Sequence, residues 1–252
     1  MEKKIALVTG ATSGIGKATA EKLAELNFNI IITGRRDERL EEVKSQLILK
    51  NIEVKTLHFD VRNRVSVETA FNSLPEEWKK IDVLVNNAGL AAGLDLMQNG
   101  NIDDWETMID TNIKGLLYVS QLVMPYMIAQ KKGHIINIGS IAGKETYMKG
   151  GVYCGTKHAV DAITKSMRID LLEHGIKVTQ IAPGMVETEF SIVRLKGDTN
   201  AAAKVYEGLE PLTANDIADT LIFVITRPPH VNINDIVVMP TAQASATYTY
   251  RK

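Results

Sequence analysis

The sequence predicts one α/β domain, a doubly wound parallel sheet of about seven strands with helices on both faces. Three observations carry that reading. Short apolar runs rich in β-formers alternate with amphipathic helical stretches along the whole chain. The first run leads into a glycine-rich turn that opens a helix, residues 10–16. Small or polar residues with chemical capacity recur where strands end, the edge at which open α/β sheets bind ligands.

A chain of 252 residues has room for one large domain with a well-buried core and requires no second one. With 45% apolar and 23% charged residues it reads as a soluble globular protein. A net charge of −1 argues against a broad nucleic-acid surface. The single cysteine, Cys154, allows no intrachain disulfide and suits a reducing compartment. Residues 1–8 run straight into a strand without a signal-peptide core, and no apolar run approaches the ~18 residues of a membrane helix. A cytoplasmic setting is therefore expected. The five histidines are scattered and read as structural, and no metal-ligand spacing occurs, so no metal is expected.

Taken in order, residues 4–9 form the first strand and residues 17–26 the first helix, with Gly10, Gly14 and Gly16 between them. Strand, glycine-rich turn and helix together mark a dinucleotide phosphate site. Glycines let the backbone approach a pyrophosphate while the helix N-terminal amides point at its charge. The spacing, GxxxGxG, is a variant of the common fingerprint. Residues 28–33 are the second strand, followed by Gly34, Arg35 and Arg36. A carboxylate here would hold a ribose 2′-hydroxyl; guanidinium groups suit a 2′-phosphate instead. NADP is thus expected rather than NAD.

The third strand, 51–59, ends in Asp60-Val61, where Asp60 either meets an adenine amino group or caps the helix starting near Arg64. Residues 81–85 form the fourth strand, ending in the small turn Asn86-Asn87-Ala88-Gly89. After a polar loop come helices 103–110 and 113–130, with Asp103 or Asp104 as cap. Asn112 interrupts this pattern, which suggests a local irregularity or a buried amide with a task. Strand 134–138 precedes Ser140, and helix 150–173 places Tyr153 and Lys157 one turn apart on one face. A free phenol titrates at about 10, and a nearby ammonium favours its ionised form. A proton donor, its charge partner and the Ser140 hydroxyl could then meet around one substrate oxygen.

Strand 177–181 leads to Pro183-Gly184 and Thr188. Residues 188–212 are irregular and read as a lid over a ligand or a surface excursion. Helix 215–226 follows, with Thr213 or Asn215 near its start, then strand 234–239 and a polar tail, 240–252.

The ordered set Thr9-Gly10-Ala-Thr-Ser-Gly14-Ile-Gly16, Asp60-Val61, Asn86-Asn87-Ala88-Gly89, Asn112, Ser140, Tyr153-x-x-x-Lys157 and Pro183-Gly184 resembles the short-chain dehydrogenase/reductase family. The resemblance covers most of the chain and implies a single Rossmann-type domain. It implies that Asn112, Ser140, Tyr153 and Lys157 are catalytic. Tyr153 would be the acid/base and Ser140 would hold the substrate oxygen. Lys157 would lower the tyrosine pKa and hold the nicotinamide ribose, and Asn112 would anchor a water in a proton relay. Gly10, Thr12, Ser13, Gly14, Ile15, Gly16, Asp60, Val61, Asn87, Ala88, Gly89, Pro183, Gly184, Val186 and Thr188 would hold the cofactor beside Tyr153 and Lys157, with Thr188 on the carboxamide.

The segments 60–64, 104–112, 188–197 and 230–240 further resemble the NADP-dependent 3-hydroxy acid (serine/allo-threonine) dehydrogenase branch, which also holds reductases of small acidic aldehydes such as sulfoacetaldehyde and malonic semialdehyde. One departure is Cys154-Gly155-Thr156, where many family members have Ala-Ser before the lysine. An acidic substrate needs a cation, and Arg194 and Lys196 follow Thr188 closely; Arg194 is preferred because its planar fork grips a carboxylate or sulfonate through two bonds. Tyr147 and Met148 are expected in the pocket wall. Helices 104–130 and 150–173 carry more apolar surface than one sheet face buries. The resemblance implies that such helices pair between subunits, so a homotetramer is expected, with a dimer as second choice. Two other readings remain, a non-catalytic NADP-binding regulator and an epimerase or dehydratase of nucleotide sugars. The intact Ser140, Tyr153 and Lys157 oppose the first, and the chain length opposes the second.

Overall fold

In the computed structural model, which describes residues 3–252, one parallel sheet runs through the chain. Its strands are β1 Ile5–Val8, β2 Asn29–Gly34, β3 Val54–His58, β4 Val83–Asn86, β5 Gly133–Ile138, β6 Ile176–Pro183 and β7 Asp235–Val238. They lie in the order β3-β2-β1-β4-β5-β6-β7, every neighbouring pair parallel. The chain winds outward from β1 in one direction, then returns to β4 and winds in the other. Loops leaving β1 and β4 therefore part company, and a crevice opens between them at the strands' C-terminal ends.

Both faces of the sheet are covered, which explains why the strands read as continuous apolar runs rather than alternating ones. Leu7, Ile31, Leu84 and Ile135 pack on one side against Val67, Val119, Val123 and Val160. These come from helices α3 (Arg64–Asn72), α5 (Leu116–Gln130) and α6 (Gly151–Asp170). Val8, Ile30, Ile32 and Ile136 face the other way, onto Leu23, Leu40, Val43 and Leu221. Those lie on α1 (Gly14–Glu25), α2 (Asp37–Ile48) and α9 (Ala214–Ile225).

The caps differ in part from the expected ones. Asn63, not Asp60, caps α3 by accepting the Ser66 N–H at 3.0 Å. Asn101 caps α4 (Ile102–Ile109), its carbonyl taking the N–H groups of both Asp103 and Asp104. The two aspartates instead sit in the first turn, where the helix dipole favours them. Thr213 caps α9 in a reciprocal box with Asp216.

Residues 102–130 form one long helical path, but not a uniform one. Between α4 and α5 the turn widens to a π-helical segment, Asp110–Gly115. Such segments hold an extra residue in the turn and recur at functional sites. The irregularity expected at Asn112 is there.

Two short helices, α7 (Phe190–Arg194) and α8 (Thr199–Lys204), build the segment between β6 and α9. The tail packs onto this segment. Gln243 is buried and accepts the Met185 N–H at 2.8 Å, while Arg251 donates to the carbonyls of Val205 and Glu207. No helix among the described residues is long and apolar enough to cross a membrane.

Candidate active site

A crevice of about 810 Å³ follows the C-terminal edge of the sheet, bringing together residues from every segment named above. At one end lies the glycine turn. Gly10 and Gly14 hold φ of +65° and +52°, conformations that other residues rarely adopt. A side chain on Gly16 would have its Cβ 2.4 Å from the Gly10 carbonyl, so the turn closes only around glycine. Ser13 does not cap α1 with its side chain, which leaves first-turn amides for a ligand's anionic group.

The ends of β1 and β4 are stitched together beneath this turn. Thr9 Oγ1 accepts the N–H groups of Asn87 and Ala88 at 3.0 and 2.9 Å, and Asn87 Nδ2 donates to the carbonyls of Thr9 and Gly10. Asn87 thus shapes the crevice floor while lining it.

Arg35 and Arg36 stand at the end of β2, at the crevice rim. Arg36 donates to Thr12 Oγ1 at 2.9 Å and to Ser13 Oγ at 3.3 Å. Its other nitrogen reaches Glu189 at 3.2 Å, and Arg39 holds the second oxygen of the same carboxylate at 2.5 Å. Asp60 lines the crevice with its carboxylate tied to Arg62 at 2.7 Å and lying 3.7 Å from Arg35. Burial pushes the Asp60 carboxyl up, but the bonds and charge of Arg62, with Arg35, outweigh this and hold it below its usual range.

At the other end Ser140, Tyr153 and Lys157 meet, all buried and all lining the crevice. The Ser140 hydroxyl accepts the Ala142 N–H at 3.1 Å, which fixes its direction at the end of β5. Lys157 Nζ donates to the Ile138 carbonyl at 2.9 Å, and burial pushes its pKa down to about 8. Burial drives the Tyr153 phenol above its ordinary range, and neighbouring Tyr147 adds to this; Ser140 and Arg194 pull the other way. The expected lowering of the tyrosine by Lys157 is therefore not seen. Burial dominates, and the stabilising neighbours are a hydroxyl and a guanidinium.

Asn112 lies just behind this group, 2% exposed. Its amide nitrogen donates to the Leu90 carbonyl and to Thr156 Oγ1, and its oxygen accepts the Leu90 N–H at 2.9 Å. Both amide protons are spent on protein, so the side chain clasps the loop after β4 to α6. The widened turn is what brings that amide to Leu90.

Arg194 reaches the catalytic end from α7. Its guanidinium lies 5.4 Å from the Tyr147 ring centre and 5.7 Å from that of Tyr153. It donates to the Tyr147 hydroxyl at 3.0 Å and to the Gly93 carbonyl at 3.3 Å. Phe190, from the same helix, tilts against Tyr153 with ring centres 5.6 Å apart. Lys196 pairs with Asp104 at 2.8 Å, away from the crevice. Met148 is a correction: it is 77% exposed and lies off the crevice wall that Tyr147 helps to form.

Sequence reasoning missed Arg39, Glu189 and Phe190. Arg39 was detectable in principle, because it follows Arg35 and Arg36 at helical spacing and so shares their side of α2. Nothing in the sequence announces Glu189 or Phe190 except their position just after Thr188.

A profile of the short chain dehydrogenase family matches residues 4–197. The chain belongs to that family. As a short chain dehydrogenase it is an oxidoreductase, with the parallel seven-stranded sheet described above. It is 48% identical over 243 residues to the NADP-dependent 3-hydroxy acid dehydrogenase of Salmonella typhi, covering 96% of this chain and 97% of that one. The NADP-dependent 3-hydroxy acid dehydrogenase of Schizosaccharomyces pombe is 43% identical over 254 residues, covering 100% and 98%. Among solved structures, the closed form of a serine dehydrogenase complexed with NADP+ superposes with a TM-score of 0.93 at 44% identity, covering 98% and 99% of the two chains. Serine dehydrogenase from Escherichia coli gives 0.82 at 41% identity, covering 95% and 99%.

Proposed function

We propose that this short chain dehydrogenase is NADP-dependent and interconverts the hydroxyl and carbonyl forms of a small 3-hydroxy acid such as serine, allo-threonine or 3-hydroxypropionate. The observation that carries the substrate class is the Arg194 guanidinium. It stands over the Tyr153 ring with one nitrogen on the Tyr147 hydroxyl, as a cation for an acid group beside the reacting oxygen must. The names of the relatives point the same way.

The crevice fits the cofactor. The turn at Gly10, Gly14 and Gly16 would fill if a Cβ were added at Gly16, and the open α1 amides suit a pyrophosphate. Arg35 and Arg36 at the end of β2 suit a 2′-phosphate. Lys157, Thr188, Val186 and the backbone of Pro183-Gly184 line the nicotinamide half. When bound, NADP supplies the hydride acceptor, or NADPH the donor.

This chain's own residues handle the proton and the acid group. Ser140 donates to the substrate oxygen and Tyr153 gives or takes its proton, the two hydroxyls facing one point. A phenol held above its ordinary range is protonated at neutral pH and ready to donate, which suits the carbonyl-reducing direction. Arg194 holds the carboxylate and Phe190 excludes water on the lid side. The same arrangement would accept a small acidic aldehyde such as sulfoacetaldehyde or malonic semialdehyde, since a guanidinium grips sulfonate as well as carboxylate. Exposed Ile109, Leu117 and Ile169 on the α4–α5 and α6 surfaces support assembly as a homotetramer, which light scattering would report as four chain masses.

Turnover of serine, allo-threonine and 3-hydroxypropionate beside neutral alcohols, with NADP and NAD in parallel, tests this reading. A preference for neutral alcohols would overturn it. Replacing Arg35 and Arg36 together by Gln is expected to weaken NADP binding by roughly 2–3 kcal/mol, the sum of two charge-assisted contacts, and to leave NAD nearly unchanged. An equal loss for both cofactors would show that neither guanidinium reads the 2′-phosphate.

A further inference from the structure

Glu189 lies between the two halves of the crevice and belongs to neither the glycine turn nor the catalytic group. It follows Thr188 and immediately precedes α7, yet its carboxylate points at the arginines beyond the end of β2. One oxygen takes Arg36 at 3.2 Å and the other takes Arg39 at 2.5 Å. Burial pushes the Glu189 carboxyl up, but Arg39 and Arg36 hold it below its ordinary range, so it is ionised at neutral pH. Arg36 is shared, since its remaining nitrogen serves the hydroxyls of Thr12 and Ser13 on the glycine turn. An anionic group on two guanidiniums beside that turn is the chemistry a phosphate would present there.

We propose that Glu189 is a resident competitor for the cofactor's 2′-phosphate, occupying Arg36 and Arg39 until that phosphate takes them. This rests on the NADP reading above. Arg35, Arg36 and Arg39 supply three positive charges around this point, against which Asp60 and Glu189 set two negative ones. The competition makes NADP binding weaker than the arginines alone would allow, and cofactor release correspondingly faster. It also ties phosphate arrival to the first turn of α7, the helix whose last residue, Arg194, holds Tyr147. A cofactor without the phosphate leaves the Glu189 pairs in place.

The test uses two fragments that carry no nicotinamide, adenosine 2′,5′-bisphosphate and adenosine 5′-monophosphate, titrated calorimetrically into the full chain. Glu189→Gln keeps the shape and removes the charge. It is expected to tighten the bisphosphate about five-fold, the worth of two half-exposed ion pairs, and to leave the monophosphate within about two-fold. Glu189→Asp, shorter but still charged, is expected to fall between Gln and wild type, which a general packing effect would not produce. Equal tightening of both fragments, or no tightening of the bisphosphate, overturns the competitor role. If the wild-type chain itself does not prefer the bisphosphate, the NADP reading fails first, and the competitor role falls with it.

Discussion

Tyr153→Phe is expected to lower turnover by roughly 10³-fold while leaving NADP affinity within a few-fold, because the proton is lost and little else. The ring would stay where it is, buried against Phe190 and beneath the Arg194 guanidinium. Only the hydroxyl facing Ser140 would go. Steady-state rates with the best acidic substrate, together with cofactor binding by fluorescence, separate the two effects. Retention of a tenth of wild-type turnover would mean that another group transfers the proton. In that event the geometry offers Tyr147 first, since its hydroxyl is already on Arg194 at 3.0 Å.

Arg194→Met is the second large effect. Methionine keeps most of the aliphatic bulk against the two tyrosine rings and removes the fork. The KM for an acidic substrate should rise by on the order of 10²-fold, about 2–3 kcal/mol for a lost charged hydrogen bond, with a much smaller change for a neutral alcohol. Equal losses on both substrates would place the acid group elsewhere and leave α7 only the task of excluding water. A secondary consequence concerns Tyr153, because Arg194 is one of the groups that pull its raised pKa down. Removing the guanidinium lets it rise further, so any activity that needs the phenolate should shift to higher pH in the variant.

Most of the frame was legible before any coordinates. Continuous apolar runs such as residues 134–138 implied strands covered on both faces, and helices α3, α5 and α6 against α1, α2 and α9 do cover them. Tyr153, Lys157 and Ser140 could be placed because a one-turn helical spacing and a strand end each fix a direction. What resisted reading depended on contacts between distant segments. Asp60 had two plausible partners along the chain, a ligand and a helix start, while Asn63 takes the cap and Arg62 the carboxylate. Local sequence favoured Asp103 and Asp104 as caps over Asn101, although all three are competent, because boundaries shift by a residue or two without changing the pattern. Met148 and Tyr147 are neighbours, and only the local backbone decides which one turns inward. Direction of a pKa shift was the least legible property. Lys157 acts on Tyr153 through charge, but burial acts on both and moves them in opposite senses from the ionised pair.

The widened turn at Asp110–Gly115 has a consequence for which changes in length the chain can tolerate. A π turn stores one residue more than the α-helical path needs, so α4 and α5 are out of phase by that residue. Deleting any one residue within it would let the helix close regularly and rotate one half against the other by about 100°. Ser120, which now accepts the buried Asn86 side chain at 2.8 Å, would swing away, and Asn112 would leave Leu90. Loops of this fold, such as the one before α4, can lose or gain residues at their tips. The middle of this helix cannot, although by secondary structure alone it would look like the safest place for a silent deletion.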